Sequence, residues 1–260
     1  MELGLKGKWA LVTGASKGIG AGVARFFAAE GCHLHLVARS AEDLAAVRER
    51  IRGEHGVVVE IHPMNLAERG HAKELAARCP DIDILVNNAG SIPRGTLEEI
   101  DEDRWREAWD LKVFGYINMS REYFRLMKAR RHGVIVNVIG NGGERLDSGY
   151  IAGGTGNAAL MAFTRALGGS SADVGVRVLG LNPGPVQTER LVGLMQKEAT
   201  TRYGDASRWR EFEKRFPFGR AATVEEIASM VVVLASGVSS YTSGTIVTID
   251  GGMSHRGSLI

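Results

Sequence analysis

Trp9-Ala10-Leu11-Val12-Thr13-Gly14-Ala15-Ser16-Lys17-Gly18-Ile19-Gly20 decides the fold. The apolar run Trp9 to Val12 has the length of a buried strand, and Thr13-Gly14 turns it sharply. Ile19, Val23, Phe26 and Phe27 then recur at helical spacing, and Gly31 behind Glu30 stops that helix. A strand, a glycine-rich turn and a helix make the first βα unit of a parallel sheet. Glycines in such a turn let the backbone approach a diphosphate closely. The helix that opens near Gly18 aims unpaired N–H groups and the positive end of its dipole at the same point.

The pattern repeats outward from this unit. Strands are expected at His33 to Val37, Val57 to His62, Ile84 to Val86, Val134 to Val138, Val176 to Leu181 and Ile246 to Ile249. Helices are expected between them. One is capped by Ser40 and runs to about Glu54, and others cover Glu68 to Arg78, Asp103 to about Arg130, and Asn157 to Ser171. A last helix opens on the capping box Thr223…Glu226. Strict alternation requires a mostly parallel sheet covered on both faces through right-handed crossovers. No linker and no repeat divides the chain, so residues 1–260 read as a single-domain, Rossmann-like, doubly wound α/β fold. Residues 189–217 interrupt the alternation with a mixed apolar and charged insertion.

The 44% hydrophobic and 24% charged residues suffice for a full core. A formal charge of +2 gives no reason to expect nucleic acid as a partner. The longest apolar run, Met230 to Ala235, is too short to span a bilayer, and the first residues lack a signal-peptide core, which makes cytoplasm the expected location. Cys32 and Cys79 are the only cysteines, as expected of a reducing compartment. The spacing of histidines, cysteines and acids suggests no metal site.

Four motifs in order carry a resemblance that spans essentially the whole chain. Thr13-Gly14-x-x-x-Gly18-x-Gly20, Asn87-Asn88-Ala89-Gly90, Asn182-Pro183-Gly184-Pro185-Val186-Gln187-Thr188 and Asp250-Gly251-Gly252 resemble the short-chain dehydrogenase/reductase family. The resemblance implies a nicotinamide dinucleotide held by Thr13, Gly14, Ser16, Lys17, Gly18, Ile19 and Gly20 in the turn. It adds Asn65 and Leu66 behind the third strand, Asn88, Ala89 and Gly90 behind the fourth, and Pro183, Gly184, Val186 and Thr188 behind the sixth. It places Asn87 by the adenine ribose and in support of the central sheet, and Val186 and Thr188 at the nicotinamide carboxamide. It also implies a homo-oligomer, a dimer or tetramer, built through the long central helix.

The second strand ends in Val37-Ala38-Arg39-Ser40 with no acid to take the ribose hydroxyls of NAD. Arg39 offers a planar fork to a 2′-phosphate and Lys17 adds a second cation, so NADP is expected over NAD.

The active site departs from the family. Its tyrosine acts as acid and base, a lysine four residues on lowers the tyrosine's pKa, and a serine orients the carbonyl. Here no Tyr-x-x-x-Lys exists. Gly153 stands in the tyrosine slot, Asn157 in the lysine slot, Gly140 in the serine slot, and Lys112 where an asparagine is usual. Two readings stay open. In one the chemistry is rebuilt: Tyr150, one turn before Gly153, leans into the space the glycine leaves, Lys112 supplies the cation from a facing helix, and Asn157 bonds the ribose. In the other the acid is lost, and the chain is a non-catalytic NADP(H) sensor or partner subunit. A lyase or isomerase on the same fold is a third class. Glu144 and Asp147 read as solvated loop charges. Leu191, Leu194, Met195, Tyr203, Trp209 and Phe212 give the insertion at 189–217 apolar surface; it resembles the family's substrate lid, as for a hydrophobic small-molecule carbonyl or alcohol, and the same residues equally suit a subunit interface.

Overall fold

In the computed structural model, which describes residues 2–256, seven parallel strands form one sheet in the order β3-β2-β1-β4-β5-β6-β7. They are β1 (Trp9–Thr13), β2 (His33–Ala38), β3 (Val59–Pro63), β4 (Ile84–Asn87), β5 (Gly133–Val138), β6 (Val176–Pro183) and β7 (Ile246–Ile249). The chain winds from β1 through β2 to the edge at β3, then returns to lay β4 on the other side of β1. At that reversal the loops behind β1 and β4 leave in opposite directions, and a crevice opens between them.

Helices α1 (Gly18–Ala29), α2 (Ala41–Glu54) and α8 (Val224–Ala235) cover one face. There Val23, Phe27, Leu44, Ile51, Ile227 and Val231 meet the inward residues of the strands. On the other face lie α3 (His71–Arg78), α5 (Gly115–Arg130) and α6 (Ile151–Ser171), where Leu75, Met119, Tyr123 and Met127 pack over Leu11, Leu85 and Ile135. Because both faces are covered, the central strands β4 and β5 are buried throughout rather than alternating.

Several element boundaries differ from the sequence reading, β3 starting at Val59 and α3 at His71 among them, and two of the differences bear on the cleft. The long helix expected from Asp103 divides into α4 (Glu102–Trp109) and α5, joined by a π-helical turn at Asp110–Phe114. Helix α6 begins at Ile151, six residues before the expected start at Asn157. Glycines 153, 154 and 156 lower helix propensity, yet tertiary contact demands them. A β-carbon on Gly156 would lie 3.1 Å from Val113 Cγ2, and one on Gly154 3.2 Å from the Gly142 carbonyl oxygen. The indole of Trp109 donates to the Ala152 carbonyl at 3.0 Å, which ties the start of α6 to the end of α4.

Asn87 is fully buried and belongs to the sheet rather than to the crevice. Its amide donates to Ser120 Oγ (3.0 Å) and Asn137 Oδ1 (2.9 Å), and Asn137 donates in turn to Thr164 Oγ1 (2.9 Å). This buried polar chain joins β4, β5, α5 and α6. The insertion at 189–217 forms α7 (Glu189–Tyr203) and a 3₁₀ segment (Ala206–Arg215). Among the described residues, no helix is long and apolar enough to cross a membrane.

Candidate active site

A long cleft follows the carboxyl ends of the strands across the switch point. At one end lie Gly14, Ser16, Lys17, Gly18, Ile19 and Arg39, in the middle Leu66, Asn88, Ala89 and Gly90, and at the other end Lys112, Tyr150, Asn157, Pro183, Gly184, Val186 and Thr188. Most of the residues expected to hold a cofactor are thus brought to one surface.

Three are not. Thr13 is buried, and its hydroxyl accepts from the Asn88 and Ala89 backbone amides (2.9 and 3.0 Å) while donating to the Val86 carbonyl (3.3 Å). It braces the β1 turn against the β4 loop. Gly20 is a packing glycine: a β-carbon there would fall 2.2 Å from the Gly14 carbonyl oxygen. Asn65 lies outside the cleft lining, where its side chain donates to Glu68 Oε1 (3.1 Å) and accepts from the Ala67 amide (3.3 Å); its neighbours Met64 and Leu66 line the wall instead.

The dinucleotide end has the form an anion requires. Gly14 takes φ 66° and Gly18 φ 55°, which side-chain-bearing residues rarely adopt. A β-carbon on Gly14 would lie 2.9 Å from Ala89 Cα, so the turn's closeness to the β4 loop also excludes a side chain. Helix α1 starts without a side-chain cap and has no acid in its first turn. No side chain caps its first N–H groups, which open beside exposed Lys17. Exposed Arg39 stands where β2 ends, and Asp43, in the first turn of α2, lines the same part of the wall. Thr188 is half committed, since its hydroxyl caps α7 by accepting from the Leu191 amide.

At the other end Gly153 and Tyr150 are complementary. A β-carbon on Gly153 would lie 2.0 Å from Tyr150 Cζ and 2.2 Å from Cε1, so the phenol ring fills the room above the glycine. Gly142 flanks it, with the place for its β-carbon 3.2 Å from Tyr150 Cε1. Burial raises the pKa of this phenol, and the charges of Arg190 and then Arg94 pull it partly back. The Arg94 guanidinium sits 5.5 Å from the ring centroid and pairs with Asp147 at 2.6 Å. Arg190 donates to the Ile92 carbonyl at 2.7 Å.

Lys112 rises from the π-helical turn into the same cleft, with its stem under Gly90. The cations that act on Tyr150 are Arg190 and Arg94, whereas the Lys112 ammonium is committed to the Ile139 carbonyl at 2.6 Å. Burial, reinforced by the Arg190 charge, pushes the Lys112 pKa down to about 8. Asn157 is buried, and its Oδ1 has no hydrogen-bond partner. Its Nδ2 lies 3.1 Å from where Gly140 would carry a β-carbon. An unpartnered buried amide beside a cleft is a costly feature unless a ligand completes it.

The loop acids separate. Both are exposed, as read from the sequence; Asp147 is the partner of Arg94, and Glu144 also accepts from Asn182 Nδ2 (3.1 Å) and Thr248 Oγ1 (3.0 Å). Of the insertion's apolar residues only Leu191 and Leu194 line the cleft. Met195 and Trp209 bury each other with Tyr203 and Phe212 alongside, in a small core of their own. Arg94, Arg145 and Arg190 escaped the sequence reading because they sit in loops or at a helix start, with no periodicity to mark them.

Comparison with known proteins agrees with this geometry. The model of a family described as enoyl-(acyl carrier protein) reductase matches residues 14–254. The chain is a short-chain dehydrogenase/reductase. Within that family it is 30% identical over 257 residues to a 3-oxoacyl-(acyl-carrier-protein) reductase of Aquifex aeolicus, covering 97% of this chain and 100% of the relative. It is 35% identical over 261 residues to an L-tagatose-forming galactitol 2-dehydrogenase of Cereibacter sphaeroides, covering 95% of each. L-Sorbose reductase from Gluconobacter frateurii, solved with NADPH and L-sorbose, superposes with a TM-score of 0.91 at 28% identity, over 98% of this chain and 100% of that one. The chain is accordingly an NAD(P)-dependent oxidoreductase of this family.

Proposed function

We propose that the protein moves hydride between NADP(H) and the carbonyl or alcohol carbon of a small molecule, with Tyr150 exchanging the proton at the substrate oxygen. The observation that carries this reading is the fit of the Tyr150 ring into the space above Gly153, inside the cleft whose other end is the uncapped α1 turn. The residues fit the cofactor. The start of α1 and Lys17 would take the diphosphate, Arg39 the 2′-phosphate, and Asn157 a ribose hydroxyl through its unpartnered Oδ1. Bound there, the nicotinamide would supply or accept the hydride.

The chain's own groups would do the rest. Since burial keeps the Tyr150 phenol protonated at neutral pH, it is set to donate in the direction of carbonyl reduction. Arg190 and Arg94 would stabilise the phenolate left behind. Lys112, held on the Ile139 carbonyl, would add positive field at the developing alkoxide. Leu191 and Leu194 would exclude water over the reacting carbon and receive an apolar part of the substrate. Arg94, Arg145 and Arg190 at the rim favour a substrate that also bears an acidic group. The exposed side chain of Phe114 supports assembly of a homo-oligomer along the α4–α5 edge, which sedimentation would test.

One observation favours a second proton donor. Lys112, near 8, is closer to neutrality than a buried phenol, and so better matched for proton transfer at neutral pH. Turnover of a carbonyl panel by wild type, Tyr150→Phe and Lys112→Met, each with its pH profile, decides between them. A large loss of turnover in Tyr150→Phe, with Lys112→Met losing only the profile limb near 8, supports the tyrosine. Unchanged turnover in Tyr150→Phe overturns it, and cofactor binding without turnover in wild type would leave a sensor.

A further inference from the structure

Away from the cleft, three donor side chains from three elements converge at the outer edge of the sheet. They are His35 on β2, His62 on the edge strand β3 and Cys79 at the end of α3, and their ligand atoms all lie within 4.8 Å of one another. We propose that His35, His62 and Cys79 form a zinc site, with the Glu60 carboxylate closing the fourth position.

The topology explains how residues 27 and 17 positions apart meet. In the parallel register His35 lies opposite Glu60 and Val37 opposite His62, so His35, Glu60 and His62 point to the α3 side of the sheet. Helix α3 ends at Arg78, and the thiol of its C-cap Cys79 lies within 4.8 Å of the imidazole ligand atoms while donating to the Leu75 carbonyl at 3.1 Å. His35 Nδ1 is 2.9 Å from His62 Nε2 and 3.4 Å from Glu60 Oε2. Two nitrogens bound to a tetrahedral zinc, each about 2.0–2.1 Å from it, stand roughly 3.3 Å apart, so a few tenths of an ångström separate the present pair from a chelating one.

The donor set and its surroundings suit zinc. Two imidazoles, a thiolate and a carboxylate are borderline-soft ligands. His35 is buried and its ring stacks on Trp9 (centroids 4.5 Å apart, planes at 24°), which fixes its orientation. Tyr123 Oη lies 3.2 Å from Cys79 Sγ, where it can donate to a thiolate as a supporting outer partner. One of the two facing nitrogens, His35 Nδ1 or His62 Nε2, carries the proton of their hydrogen bond, and that ring shifts its proton to its other nitrogen when a metal binds. The cation enters from the solvent side, because β3 is the sheet edge and Glu60 is exposed. Binding replaces the S–H bond of Cys79 with a sulfur–zinc bond and releases one proton to solvent. The product is a clamp from β2 and β3 to the end of α3, independent of the hydride-transfer reading.

The test uses the full-length, tag-free protein, stripped with a chelator and titrated with Co(II) and then Zn(II). Expected are one metal per chain, the visible bands of tetrahedral cobalt with a thiolate charge-transfer band, and their loss when zinc is added. Cys79→Ser should remove the charge-transfer band. His62→Gln, an edge-strand change that leaves the core in place, should weaken zinc by more than the ~10–100-fold that loss of an outer-shell partner costs. Cys32→Ser, at the other buried thiol, should bind as wild type does. Zinc should raise the melting temperature of wild type and of Cys32→Ser but not of His62→Gln. Failure of wild type to take up either metal, or equal uptake by wild type and His62→Gln, would overturn the site.

Discussion

The two ends of the cleft are built on opposite principles. At the dinucleotide end one local segment does nearly everything: Gly14, Ser16, Lys17 and Gly18 are close in sequence, and the turn and the uncapped helix follow from their residue types. At the reacting end nothing is local. Tyr150 precedes α6, Gly153 lies inside it, Lys112 comes from a π-helical turn on another element, and Arg190 opens the insertion. The first end can be altered only by breaking its backbone geometry, whereas the second can exchange its side chains while the cleft persists. On the proposed reading, the cofactor turn stays and the acid moves to Tyr150.

The sharpest way to break this comparison is Tyr150→Phe. Removing the proton donor should lower kcat by about 10²–10⁴-fold, while NADPH affinity measured by fluorescence titration stays at the wild-type value. A parallel loss of affinity would mean that the two ends are not separable.

Next in size is Gly153→Ala. The new methyl would occupy the position of Tyr150 Cζ, so the ring must leave. Overpacking of this kind costs about 1–3 kcal/mol of stability, and turnover should fall toward that of Tyr150→Phe. If denaturant unfolding and turnover are both unchanged, the ring is not held by that space.

Arg39→Ala probes the other end. Losing a charge-assisted hydrogen bond of roughly 1.5–3 kcal/mol should weaken NADPH by about 10–100-fold, with NADH affinity unaltered. An equal loss for both cofactors would remove the 2′-phosphate from the reading of Arg39.

The smallest effects are those of pH on stability. Lys112 is held near 8 in the fold against an ordinary 10.5, so between those values the unfolded chain binds the proton and the folded chain does not. The free energy of unfolding should therefore rise with pH across that window, and Lys112→Met should flatten the rise. His35 acts at the acid side. Burial, and then the neighbouring His62, push it from 6.5 down to about 4. In metal-free protein, stability present above 6.5 should be lost as pH falls from 6.5 to 4, by on the order of 2 kcal/mol, measured by urea unfolding at stepped pH.

The sequence marked the fold well where pattern and chemistry coincide. Trp9 to Gly20 read as strand, turn and helix because an apolar run, a positive-φ glycine and a 3.6-residue period all agree there. It marked α6 poorly, because Gly153, Gly154 and Gly156 read locally as helix-weakening residues and their partners, Tyr150, Gly142 and Val113, lie elsewhere. Asn65 lies outside the cleft lining, because its short side chain closes a local turn with Glu68 and Ala67. The cluster of His35, His62 and Cys79 has no motif at all, since its spacing follows strand register and helix length.

By itself, then, the chain of residues determined the layer architecture, the family and the diphosphate turn, because each depends on periodicity or on backbone freedom that a short segment already contains. The tertiary structure alone decided which cations face Tyr150, what holds Lys112, which insertion residues reach the cleft and where three scattered donors meet. Those are distances between side chains remote in sequence, and only the packed sheet and its covering helices set them.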